Sequence, residues 1–102
     1  MQIQNPIPAA PLFHIAFFKF VELPDSDATV AQLRELTQNL TGSILVASEG
    51  INGVLAGTAQ QLDAFQHALV NDPRMSGRFE GIAFKRSACK TAPFGRIKVH
   101  KK

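Results

Sequence analysis

The chain has no tryptophan, no tyrosine and a single cysteine among 102 residues. One thiol cannot close an internal disulfide, so packing alone must hold the fold. No window approaches the ~18 consecutive apolar residues of a membrane-spanning helix. The first twelve residues, MQIQNPIPAAPL, lack the basic n-region and long apolar run of a secretory leader. With no signal for export and no membrane segment, the expectation is a cytoplasmic domain. Basic residues are scarce along most of the chain: residues 1–73 hold two, Lys19 and Arg34, against seven acids. Residues 74–102 reverse the balance, with nine Lys or Arg against Glu80. Such one-ended positive charge is the footprint of a polyanion partner, or else simply a solvated surface.

The apolar content, 45% with eight phenylalanines, is enough for one phenylalanine-rich core. Three prolines (Pro6, Pro8, Pro11) and no periodicity mark residues 1–12 as a flexible lead-in, leaving 13–102 as the domain. Leu12–Leu23 predicts a strand: Phe13, Ile15 and Phe17 alternate with His14, Ala16, Phe18 and Phe20, so both faces are largely apolar. Pro24–Asp27 stops it and supplies helix caps. Ala28–Leu40 has a helical stripe of Val30, Leu33, Leu36 and Leu40.

The most ordered stretch is ILVASEGINGVLAG, residues 44–57. It predicts two strands, Ile44–Ser48 and Val54–Gly57, covered at least partly on both faces and joined by a bulged or five-residue turn over Glu49, Gly50, Ile51, Asn52 and Gly53. Thr58-x-x-Gln61 is a capping box opening a second helix with Leu62, Phe65 and Leu69 on one stripe; Asn71-Asp72-Pro73 ends it. Phe79–Ser87 predicts a strand whose Lys85 and Arg86 suit a sheet edge. Arg96–Lys102 adds a short strand with Ile97 and Val99 on one face, Lys98 and His100 on the other. The order strand, helix, strand, strand, helix, strand is that of the α+β ferredoxin-like (acylphosphatase-like) split βαβ unit, an antiparallel sheet with two helices on one face.

No convincing active site emerges from the residues. His14, His67 and His100 have no spacing typical of metal ligands, so no metal site is assigned. Cys89 has basic neighbours, Arg86 and Lys90, but no histidine or acid that the sequence places beside it, and reads as a free thiol. Acylphosphatases share the strand order, and their loop after the first strand cradles phosphate with an arginine; here that loop, Glu22–Asp27, is acidic and has none. RNA-recognition motifs share it too, and stack bases on an open sheet face. Phe13, Phe17, Phe18, Phe20 and Phe84 can supply such a platform, although the K/R-G-F/Y-x-F signature is missing and most of these rings suit a core.

Four phrases carry a resemblance: FFKFVEL, ILVASEGINGVLAG, NDPRMSG and KRSACKTAPFGRIKVHKK. Together they resemble the N-terminal domain of rhodanese-domain proteins of the tRNA uridine hydroxylase family, over about residues 13–102. The resemblance implies an acylphosphatase-like domain that precedes a C-terminal rhodanese domain, in a protein that hydroxylates the wobble uridine of tRNA with molecular oxygen as co-substrate. It implies that the catalytic cysteine lies in the rhodanese domain, so Cys89 takes no catalytic role, this domain has no cofactor, and the chain is a piece of a longer enzyme. The expected contribution is tRNA positioning through Lys85, Arg86, Lys90, Arg96, Lys98 and Lys101, with His100, along one edge strand and its continuation; Arg74 and Arg78 are secondary candidates. Glu49, Gly50, Asn52 and Gly53 are expected to form a structural turn or an interdomain contact. The alternative is a non-catalytic interaction domain that docks the rhodanese domain.

Overall fold

A computed structural model describes residues 11–89 and 95–102. Most of the expected lead-in thus lies outside the described residues, while Leu12, assigned to it above, opens the first strand.

β1 spans Leu12–Phe20, with Ile15 and Phe17 buried on one face and Phe18 and Phe20 exposed on the other. It stops short of Leu23 because the chain turns over the tip of the following hairpin, where the amides of Val21 and Leu23 donate to the carbonyls of Glu49 and Ser48 at 3.0 and 2.8 Å. The Asp25 carboxylate then accepts from the Ala28 amide at 3.0 Å and caps α1, Ser26–Leu36. Leu40, expected inside this helix, lies beyond a closing turn and packs on the bare backbone of Gly57.

β2 (Thr41–Ala47) and β3 (Gly50–Thr58) pair antiparallel, with Ala47 opposite Gly50. The turn is therefore Ser48-Glu49 alone, and the expected five-residue loop is overturned: Gly50, Ile51, Asn52 and Gly53 all belong to β3. Their glycines serve close approach within the sheet. Gly50 takes φ +152°, and a Cβ there would run into the Lys19 carbonyl of β1; a Cβ on Gly53 would lie 2.7 Å from the Phe17 ring. The Thr58/Gln61 capping box forms as expected, at 3.2 and 3.0 Å, and opens α2, Ala59–Asn71.

After α2 the chain makes a 3₁₀ turn, Pro73–Met75, and further turns through Ile82. These turns bury Met75 and Phe79, so the expected strand start at Phe79 shifts to β4, Phe84–Cys89. β5, Ile97–Lys101, buries Val99 on one face and exposes Lys98 and His100 on the other, as the alternation predicts.

The five strands lie in the order β4-β1-β3-β2-β5; every neighbouring pair is antiparallel except β2–β5, which is parallel. The fold is thus α+β and ferredoxin-like, with a fifth strand added beside β2. Both helices cover one face, α1 over β5 and β2, α2 over β3 and β1. Between them and the sheet lie Ile15, Phe17, Leu33, Ile44, Leu55, Leu62, Phe65 and Leu69. The expectation that the hairpin strands are covered on both faces fails among the described residues: none of their helices or loops crosses the second face, and Phe18, Phe20 and Leu45 stand 64%, 80% and 37% exposed there.

Arg74 joins the two helical segments, with its guanidinium 2.9 Å from Asp72 and 3.0 Å from Glu35 of α1. The side-chain hydrogen bond from Arg74, helped by its backbone amide, holds the Asp72 carboxyl below the usual carboxylate range. A depressed folded-state value stabilises the fold at pH above the ordinary carboxylate value and ceases to do so as pH falls through the depressed one. Arg74→Ala is therefore expected to move the Asp72 titration upward, measured by NMR pH titration, and to shift the acid limb of stability toward higher pH. Gly50→Ala is expected to cost about 2–4 kcal/mol in chemical denaturation, from a strained φ and a spread β1–β3 ladder. A loss within 0.5 kcal/mol, inside ordinary surface variation, would contradict that packing.

Candidate nucleic-acid interface

Strand pairing fixes which side chains share the open face, because directly opposed residues point the same way. One row crosses the whole sheet: Lys85 on β4, Ala16 on β1, Val54 on β3, Ser43 on β2 and Lys98 on β5. The next row carries Phe18, Asn52, Leu45 and His100. The last places Phe20 over Gly50 and Ala47. The lysines thus stand on opposite rims, about 19 Å apart at ~4.8 Å per strand step.

Phe18 and Phe20 meet edge to face, with centroids 5.9 Å apart and planes at 76°. They sit over a shallow depression lined with Leu45, Asn52, Glu49 and Lys102. Lys98, His100 and Lys102 are exposed on the β5 side and Lys85 on the β4 side. The geometry offers exposed aromatic surface between two cationic rims, with one acid, Glu49, at its border.

The basic residues do not lie along one edge as expected. β4 and β5 are the two opposite edges of the sheet, because β5 pairs with β2 rather than continuing β4. The alternation within each strand divides them again. Arg86 turns to the helical side, where its guanidinium binds Asp63 at 2.8 Å and Gln66 at 2.7 Å. Lys101 does the same with Asp27 at 3.0 Å. Lys85 and Lys98 face the open side, Arg96 is exposed just before β5, and Lys90 lies outside the described residues. Of the secondary candidates, Arg74 is engaged by Asp72 and Glu35, and Arg78 is half-buried beyond the 3₁₀ turn.

The phenylalanine platform is also smaller than expected. Phe13, Phe17 and Phe84 point to the helices, and Phe17, Phe65 and Phe84 form an aromatic cluster there, with centroids 5.4–6.4 Å apart. Of the five candidate phenylalanines, Phe18 and Phe20 alone reach the open face among the described residues. Asn52, expected in a turn, belongs to this face as well, and Leu45 and Lys102 complete it. Their signal in the sequence was the alternation of the strands, once the turn is placed at Ser48-Glu49.

Histidine and cysteine meet where the sequence placed no partner. β1 and β4 pair so that His14 lies opposite Ser87 and Leu12 opposite Cys89, which brings His14 Nδ1 to 3.2 Å from Cys89 Sγ. Among the described residues no group of three or more His, Cys, Asp or Glu gathers as a metal site would require. The acidic loop after β1 also forms: Asp25, Asp27 and Glu49 border one depression with Lys101 and Lys102, and Asp25 occupies the α1 N-terminus that a phosphate would need. No helix among the described residues is long and apolar enough to cross a membrane.

Residues 13–102 match the family described as UPF0176 acylphosphatase like domain. The chain is 40% identical over 89 residues to a tRNA uridine(34) hydroxylase of Bradyrhizobium diazoefficiens, with 85% of the chain and 35% of that protein covered. It is 39% identical over 93 residues to the protein of the same name from Bordetella avium, covering 89% of the chain and 37% of that protein. The chain thus spans about a third of the length of these relatives. Among solved structures, the dark state of the BLUF protein BlrB superposes with a TM-score of 0.68 at 18% identity, over 90% of the chain and 74% of that structure; this likeness concerns the fold alone. Because Phe18 and Phe20 are exposed and Phe17 is buried, Phe20→Ser is expected to change stability by less than about 0.5 kcal/mol. Phe17→Ala is expected to cost about 3–5 kcal/mol in the same denaturation experiment.

Proposed function

The chain belongs to the UPF0176 acylphosphatase-like domain family, and from that premise we propose that it is the accessory, tRNA-positioning domain of a tRNA uridine(34) hydroxylase. In this reading the hydroxylation takes place in the cytoplasm and outside this domain, in a C-terminal rhodanese domain that uses molecular oxygen. The observation that carries it is the open sheet face, where exposed aromatic rings lie between lysines on opposite rims. The names of the relatives supply the tRNA, and the rims supply the charge complementarity.

Lys85 and Lys98 are the primary phosphate contacts, with Arg96 and Lys102 extending the β5 rim; Lys90, outside the described residues, is a further candidate by its charge alone. Arg86 and Lys101, held by acids on the helical side, act mainly through the field. The exposed Leu45 beside the two phenylalanines favours a second reading, in which this face docks the rhodanese domain. Neither reading needs a nucleophile or a cofactor in this chain.

The test is tRNA binding by the 102-residue chain, followed by fluorescence anisotropy across a salt series. Affinity is expected to fall steeply with salt, with a slope of roughly −0.7 to −0.9 per phosphate contact. Lys85→Glu with Lys98→Glu should weaken binding about tenfold or more at ~100 mM salt, by the loss of two such contacts and the repulsion that replaces them. Affinity that survives this double reversal at low salt would sink the tRNA-positioning role.

A further inference from the structure

We infer that the Phe18–Phe20 end of the open face is a stacking site for unpaired nucleotides, so that the domain takes looped or single-stranded RNA in preference to duplex. This rests on the tRNA reading above and names the part of the RNA that the face receives.

The first argument is the state of the rings. Phe18 and Phe20 are the two most exposed large apolar side chains among the described residues, at 64% and 80%. Their edge-to-face arrangement leaves ring surface free rather than hiding it in a mutual stack. Exposed aromatics on a sheet face are costly to leave in water, and a base is the flat, partly polar partner that such a ring accepts without sequence selection.

The second argument is spacing. The two rings, two residues apart on β1, stand 5.9 Å apart by their centroids. Base pairs stacked in a duplex lie about 3.4 Å apart and admit no ring between them. Rings at this spacing match a strand whose bases have left their own stack.

The third argument is charge. Lys98 and Lys102 lie toward one side of the rings and Lys85 toward the other, so a backbone crossing the sheet meets cations before and after its bases are seated. Glu49 at the border is the single acid lining the depression, and it discourages a phosphate at the turn end. The chain would therefore run across the strands, from the β5 rim toward β4. Asn52, exposed between Phe18 and Leu45, offers an amide NH2 with two N–H donors and a carbonyl acceptor. That pair can meet the edge of any base, so it adds hold and little discrimination. A protein partner would accept the two phenylalanines and Leu45 equally well, but the lysines on both flanks favour the polyanion.

The experiment compares a ten-nucleotide oligouridylate, an oligoadenylate of the same length and a ten-base-pair RNA duplex, each titrated against the 102-residue chain at low salt. Both single strands are expected to bind at least tenfold tighter than the duplex. Phe18→Ala with Phe20→Ala should lower single-strand affinity about ten- to a hundredfold and leave the weak duplex binding unchanged. Phe20→Tyr, which keeps the ring, should stay within about threefold of the parent. Circular dichroism and melting of each variant confirm that the fold is kept. Equal binding of duplex and single strand, or indifference to the double alanine change while Lys85→Glu with Lys98→Glu still weakens tRNA binding, would overturn the stacking site and leave tRNA positioning standing. No RNA binding of any kind at low salt would overturn both, and the exposed face would then be a docking surface for protein.

Discussion

Phe17 lying across the bare backbone of Gly53 is the contact on which the other layers depend. A side chain at Gly53 would hold the ring off the sheet, since its first carbon would come within 2.7 Å of the ring and 3.1 Å of Ile44. With glycine there, Phe17 sinks onto β3 and brings Phe65 of α2 and Phe84 of β4 against it, at 5.8 and 5.4 Å. One vacant side-chain position thus seats a helix and an edge strand at once. The same hairpin holds the chain that leaves β1, through the carbonyls of Ser48 and Glu49, and so sets where α1 begins.

Because α1 and α2 both lie on one side, the chemistry of the domain is divided by the pleat. Residues one position apart on the same strand have opposite fates: Lys85 faces open solvent while Arg86 is tied to α2, and His100 stands free while Lys101 is tied to α1. The positive charge of the last third of the chain is therefore not a patch. Part of it anchors helices to edge strands, and part flanks an aromatic surface about 19 Å wide. Surface pairs of this kind contribute little to stability individually, so their main effect is to remove Arg86 and Lys101 from the set of free cations.

Much of this was legible from pattern. The alternation in Leu12–Phe20, the Thr58–Gln61 cap and the Ile97/Val99 face all follow local rules that tertiary context did not override. The hairpin turn was not, because Asn52-Gly53 is a strong turn signal on local grounds. Its glycine is needed instead for Phe17, 36 positions earlier in the chain, and no local rule contains that distance. The start of β4 was misplaced for a related reason: Ile82 and Phe84 alternate like a strand, but Phe79, read as its first residue, packs in the core from a turn. For the site, the sequence named the lysines and phenylalanines, yet the faces and edges they occupy depend on β5 returning to pair with β2. The His14–Cys89 contact, spanning 75 positions, was equally out of reach.

The return of β5 has a further consequence at the border of the sheet. The carbonyl of Val99 points away from β2, and the Arg34 guanidinium of α1 reaches across to it with two nitrogens, at 3.2 and 2.9 Å. That places a fixed charge over the backbone groups that an added strand would need. Open-ended growth from copy to copy requires two receptive borders on every molecule, one to give and one to take. With the Val99 carbonyl already taken by α1, the β5 border is less receptive to an added strand, and pairing between copies along β4 alone would close on itself at two.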